Sequence, residues 1–148
     1  MRHRKNTVKL GRTSSQRAAL MSSLVCNLIL YKRIKTTLPK ARAAKRFADK
    51  MVTVAKKAKA GSKDDLAARR LALRELKQES AVKELFAAVA PAMMDRAGGY
   101  TRVVKLGQRI SDSSEMCVLE WVDFVPKAKA EKKEEAKAEA PKAEEAAK

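Results

Sequence analysis

An α+β domain is predicted from three features of this 148-residue chain. Long stretches carry apolar residues at helical spacing, one short stretch is rich in β-branched residues, and two strand-like runs flank a polar loop. Read in order they make α-β-α-α-α-β-β, with a small three-stranded sheet. The apolar share, 45%, suffices for a core, and the length suits one domain. Patterning divides the chain into a basic arm over 1–15, a globular domain over 16–125 and a tail over 126–148.

The arm has no core-forming pattern. Arg2, His3, Arg4, Lys5, Lys9 and Arg12 alternate with small or polar residues, and only Val8 and Leu10 are clearly apolar. Such a segment cannot bury enough surface to order itself, but it can order on a phosphate surface by neutralising charge and releasing counterions. Ser14 or Ser15 then offers an N-cap. A helix is predicted from Gln16 to about Tyr31, with Leu20, Leu24, Leu28 and Tyr31 on one face and Met21, Val25 and Ile29 widening it. A helix apolar over so much of its circumference is expected to be central and buried. Ile34 to Thr37 reads as a short strand. Leu38-Pro39 opens the next helix, since proline is tolerated in a first turn.

That second helix, expected from Leu38 to Ala60, is the most informative element. Ala44, Phe47, Ala48, Met51, Val54, Ala55 and Ala58 share one face, whereas Arg42, Lys45, Arg46, Lys50, Lys56 and Lys57 lie on the other. An ordinary solvated face mixes signs. Here the one acid is Asp49, placed to orient Arg46 and Lys45. Gly61-Ser62 ends the helix and caps a third, which has Asp64 and Asp65 in its first turn, where the helix dipole favours acids. Leu66, Leu73 and Leu76 recur along it. Ser80 is expected to cap a short fourth helix with Val82, Leu85, Phe86 and Val89 inward, and Pro91 to break it. Met93-Met94 reads as core filling.

Arg96-Ala97-Gly98-Gly99-Tyr100-Thr101-Arg102 admits two readings. The paired glycines allow close backbone approach, so exposed N–H groups could meet a phosphate between Arg96 and Arg102, with Tyr100 stacking. Equally, they could make a tight helix-to-strand turn with Tyr100 packed on the sheet. Val103 to Leu106 reads as a strand, Gly107 to Glu115 as a hairpin loop, and Met116 to Phe124 as the returning strand. Met116, Val118, Val122 and Phe124 fall on one face of it, with Trp121 opposite as a packing residue. The tail from Pro126 contains only Pro, Lys, Ala and Glu. It has no large apolar residue and is expected to be disordered.

Charge is distributed unevenly. The net charge is +17. Residues 1–60 hold 17 Lys and Arg against one acid, residues 61–125 hold 10 of each sign, and the tail holds 7 Lys against 6 Glu. Localised positive charge implies a polyanionic partner. The apolar stretch from Ala18 to Tyr31 is too short to span a membrane, and no secretory signal pattern is present, so a cytoplasmic chain is expected. Cys26 and Cys117 lie in apolar contexts and read as buried thiols. There is no metal-ligand cluster, no cofactor motif and no nucleophile–base pair, and the sole histidine, His3, sits in the arm. An enzyme is not predicted, nor any cofactor, metal or small-molecule substrate.

Six scattered aromatics make no stacking platform for single strands. A basic arm, a one-sided basic helix and a neutral remainder suit phosphate recognition of folded RNA, and equally non-specific DNA binding by a histone-like protein. The motifs separate the two. Met1-Arg2-His3-Arg4-Lys5, Gly11-Arg12 with Ser14-Ser15 and Arg17, Ile34-Lys35-Thr36-Thr37-Leu38-Pro39-Lys40-Ala41 and Arg96 to Arg102 occur in that order. Over residues 1 to about 124 the chain closely resembles the bacterial large-subunit ribosomal protein seventeen family. The stretch from Ala60 to Leu66 is longer than the family's usual form, and the tail is an extension.

The resemblance implies a two-layer α/β domain and a non-enzymatic, structural role in translation. It implies binding to large-subunit ribosomal RNA on the solvent side, near the exit of the nascent-peptide tunnel, with neighbouring ribosomal proteins as partners. The RNA-binding residues expected are Arg2, His3, Arg4, Lys5, Lys9 and Arg12 in the arm, and Ser14, Ser15 and Arg17 at the first helix N-terminus. Lys35, Lys40, Arg42, Lys45 and Arg46 continue that surface. Arg96, Gly98, Gly99, Tyr100 and Arg102 form a second contact. A histone-like protein would instead carry its charge in the tail, which has only +1.

Overall fold

The computed structural model describes residues 8–58, 63–122 and 124. Arg2, His3, Arg4 and Lys5, the Gly61-Ser62 cap and the tail from Pro126 lie outside the described residues. The elements are α1 (Ser14–Tyr31), β1 (Arg33–Thr37), α2 (Leu38–Lys57), α3 (Lys63–Leu76), α4 (Glu79–Glu84), a π turn (Leu85–Val89), α5 (Ala90–Ala92), β2 (Thr101–Gln108) and β3 (Glu115–Trp121). The α4, π-turn and α5 segments run on without a break, so the predicted α-β-α-α-α-β-β order holds.

α1 starts two residues earlier than expected because Thr13, not a serine, caps it. The Gln16 N–H donates to Thr13 Oγ1 at 3.4 Å, and the Thr13 N–H donates to Gln16 Oε1 at 3.3 Å. This reciprocal capping box satisfies two backbone donors at once. Thr13→Ala is expected to lower stability by about 1 kcal/mol, read from a shift in the urea midpoint at unchanged slope. α1 is less central than its composition suggests. Val25, Cys26, Leu28 and Ile29 are buried, but Leu20 and Leu24 are only half-buried and Tyr31 is 71% exposed. The hub is α2, which touches all three strands as well as α1 and α3. Its buried line is Leu38, Ala41, Ala44, Ala48, Met51, Val52 and Ala55. Small alanines let the neighbouring elements approach closely. α2 stops at Lys57, where Ala58 turns to extended backbone.

α3 docks through Ala72 and Leu76, leaving Leu66 and Leu73 exposed. Its last carbonyl, on Leu76, receives the buried Ser22 hydroxyl at 2.6 Å and the Cys26 thiol at 3.2 Å. Two donors from α1 thus close a helix end that would otherwise be an unsatisfied buried acceptor. α4 begins at Glu79 rather than behind a Ser80 cap. Pro91 does not end the helix. A proline lacks the N–H and crowds the carbonyl four residues back, and the widened π turn before it absorbs that mismatch. Val82, Leu85 and Val89 point inward, with Phe86 half-buried. Met93 is core as expected, but Met94 is exposed.

The sheet is fully antiparallel, in the order β1-β3-β2. β2 is longer and the hairpin loop shorter than predicted. A bulge between Lys105 and Gly107 shifts the register, and Gly107 supplies the φ of +93° that it needs. The two faces of β3 divide as expected, with Trp121 opposite Met116 and Val118. Cys117, Leu119 and Trp121 pack on the helices, whereas Met116, Val118 and Glu120 share the other face, where Val118 is still buried. Both alternations are largely apolar in the sequence, and Glu120 marks the one that faces away from α2. Trp121 is a packing residue as predicted, and its Nε1 donates to the Leu28 carbonyl at 3.0 Å. Cys26 and Cys117 are buried free thiols, and burial pushes both up from the ordinary thiol range.

Candidate nucleic-acid interface

Chemistry for holding a polyanion requires cations that the fold leaves uncommitted. Lys9 and Arg12 precede α1, where Arg12 closes a turn by donating its N–H to the Lys9 carbonyl. Both side chains are exposed. Ser14 and Ser15 are exposed in the first turn of α1, and Ser15 Oγ lies 3.3 Å from Thr13 Oγ1. No acid occupies that turn, so the positive end of the helix dipole is not neutralised from within the helix. Arg17, half-buried, donates from Nη1 to the Arg12 carbonyl at 3.5 Å, which ties the end of the arm to the helix.

The polar face of α2 behaves as predicted in one respect and not in another. Arg42, Arg46 and Lys50 follow one another at four-residue steps, and all are exposed. Side chains four apart are neighbours on a helix surface, so these make one continuous ridge of positive charge. Lys57 extends it at the next seven-residue step, while Lys40 and Lys45 flank it half-buried. Among the described residues none of these six forms an ion pair. Asp49 does not orient Arg46 and Lys45. Its Oδ1 instead accepts from the buried Thr101 hydroxyl at 3.0 Å, which fastens α2 to β2. The lone acid of the basic half is spent on the core.

Other cations are structural. Lys32 takes a left-handed conformation after α1 and donates from Nζ to the Ile29 carbonyl at 2.8 Å and to Glu84, below the ring of Phe124. Lys56 donates to the Arg96 carbonyl and lies 3.3 Å from the Tyr100 hydroxyl, 5.0 Å from that ring's centroid. It thereby holds the 96–100 turn against α2. Tyr100 is buried and its hydroxyl donates to the Ala97 carbonyl, so its ring is not presented for stacking. Of the two readings of this stretch, the packed turn describes Tyr100. Gly98 and Gly99 remain exposed, Gly99 with φ +64°, and Arg96 is half-buried.

Lys35 and Arg102 lie elsewhere, on the outward face of the sheet. Arg33 joins them, a residue outside the predicted set. The signal for it is the Arg33/Lys35 alternation, which puts two cations on one face of a strand. The second half of the chain spends more of its charges internally: Arg69 pairs with Asp65, Lys83 with Glu79, and Arg109 with Asp112. The Lys83 ammonium lowers the Glu79 carboxyl, and Arg109 together with Ser114 holds Asp112 well below the usual carboxylate range. The asymmetry of charge in the sequence is therefore an asymmetry of pairing in the fold. Among the described residues no helix is long and apolar enough to cross a membrane.

Comparison with known proteins finds relatives over most of the chain. Residues 20–122 match the family described as Ribosomal protein L17. A relative from Thermodesulfovibrio yellowstonii, named large ribosomal subunit protein bL17, is 47% identical over 138 residues, 93% of this chain and 99% of its own. The protein of the same name from Methylacidiphilum infernorum is 46% identical, covering 83% of this chain and 89% of its own. That from Finegoldia magna is 44% identical, covering 90% and 98%.

Proposed function

The chain belongs to the ribosomal protein L17 family, and from that premise we propose that it is a structural, non-enzymatic constituent of the large ribosomal subunit that binds folded ribosomal RNA through phosphate contacts. The observation that carries the RNA contact is the unpaired ridge of Arg42, Arg46 and Lys50 on α2, together with exposed Lys9 and Arg12 and the uncompensated N-terminus of α1. Cations without internal partners gain most from phosphates, since binding releases condensed counterions and breaks no existing pair. Ser14, Ser15 and Arg17 would meet phosphate at the end of α1, where backbone N–H groups point outward. Gly98 and Gly99 offer a second approach for a backbone, flanked by Arg96.

The division into an arm over 1–15, a globular domain over 16–125 and a tail over 126–148 is part of the proposal. So are the arm's contacts through Arg2, His3, Arg4 and Lys5, and neighbouring ribosomal proteins near the tunnel exit as partners. Kinship with bacterial large-subunit proteins supports the cytoplasm as its place.

The test is the salt dependence of binding between the isolated protein and deproteinised large-subunit RNA. With about six to ten phosphates contacted, affinity is expected to fall by about 10³–10⁵ between 50 and 200 mM salt. A nearly salt-independent affinity overturns the electrostatic account. A histone-like protein would leave the ribosomal fraction on DNase treatment, whereas a subunit constituent stays.

A further inference from the structure

We infer that Arg33 and Arg102 form a two-arginine phosphate clamp on the outward face of the sheet, with Glu120 as its positioning residue. β3 runs between β1 and β2, and the registers pair both Arg33 and Arg102 with Glu120. Directly opposed residues of antiparallel strands share a face, so the three side chains stand in a row across the sheet. Glu120 Oε2 lies 3.0 Å from Arg33 Nε, and Glu120 Oε1 accepts from Arg102 Nε at 2.9 Å.

Each arginine meets the carboxylate through its Nε. The terminal nitrogens, which form the fork that matches phosphate oxygens, have no partner among the described residues. The side chains of Arg33 and Arg102 remain 66% and 55% exposed, while that of Glu120 is only 16% exposed. The carboxylate is thus a sunken tie between two outward-facing forks. One acid against two guanidiniums leaves the row at +1, and Lys35 follows Arg33 on the same face. Holding two long side chains in place beforehand removes ordering cost at the moment of binding. The ligand class is the phosphodiester of a nucleic-acid backbone. That choice rests on the RNA-binding function proposed above.

Glu120→Gln separates this assignment from simple charge attraction, because it raises net charge by one. Attraction alone predicts tighter RNA binding. A clamp predicts weaker binding, by about three- to tenfold, because the neutral amide no longer draws both guanidiniums into one row. Arg33→Lys and Arg102→Lys keep the charge and remove the fork, and each is expected to weaken binding by a similar factor. Affinity for deproteinised large-subunit RNA is the readout, with thermal melting measured alongside. If Glu120→Gln melts early, the two Arg→Lys variants decide. RNA affinity raised or unchanged in the correctly folded variants overturns the clamp and leaves these arginines to a protein carboxylate. A wild-type protein that fails to bind the RNA at all overturns the proposed function instead, so the two failures are distinguishable.

Discussion

Replacing Trp121 by Ala is expected to lower stability by about 3–5 kcal/mol, a large share of what a domain this size has in total. Three losses combine. The indole is buried between the sheet and α1, and its removal leaves a cavity that neighbours only partly close. The bond from Nε1 to the Leu28 carbonyl is lost. That carbonyl lies in the last turn of α1, where backbone acceptors lack intrahelical partners, so it becomes a buried orphan. Lys32 serves the next carbonyl, on Ile29, in the same way. Trp121→Phe keeps most of the burial and loses only the hydrogen bond, for about 1 kcal/mol. Urea unfolding followed by far-UV circular dichroism checks both, since Trp121 is the single tryptophan and fluorescence vanishes with it. Equal losses in the two variants would mean that the orphaned carbonyl, not the cavity, dominates.

Trp121 also shows where sequence reading stops. The strand and the packing role of the residue follow from composition, but the face does not. Met116, Val118 and Val122 alternate with Cys117, Leu119 and Trp121, and the one charged interruption, Glu120, is the only mark that separates two otherwise apolar faces. α1 is less legible. Its apolar circumference implies centrality, yet the hub is α2, whose alanines look unremarkable until they are seen beneath three strands. Other features were within reach. Thr13 and Gln16 already spell a capping box.

The candidate interface divides along the same line. The α2 ridge is legible because residues four apart are neighbours on any helix. The paired role of Arg33 and Arg102 is not, because it requires knowing that β3 lies between two strands far apart in the chain. The partner of Asp49 is illegible for a related reason: its nearest cations in sequence lie on its own helix, but the group it binds is Thr101 on β2. Local spacing identifies what a helix presents. It does not identify which residue a distant strand will claim.

Converting Arg42, Arg46 and Lys50 together to Ala is expected to weaken RNA binding by roughly two orders of magnitude, taking about 1 kcal/mol for each lost charged contact. The slope of log affinity against log salt should also fall by about one for each phosphate contact removed. Stability should change little, because these side chains are exposed, unpaired and on the face of α2 away from its buried line. Net charge alone would predict the same loss from any three cations. Arg70, Arg74 and Lys83, also exposed, provide the comparison. Lys83 is already engaged by Glu79 and Arg74 lies beside Glu75, so converting this second set to Ala removes the same charge from a surface balanced by its own acids. A much smaller loss there, with a nearly unchanged slope, places the phosphates along α2. Equal losses in the two sets would mean that the RNA senses the protein's total charge and no particular face, and the ridge would then have no special standing.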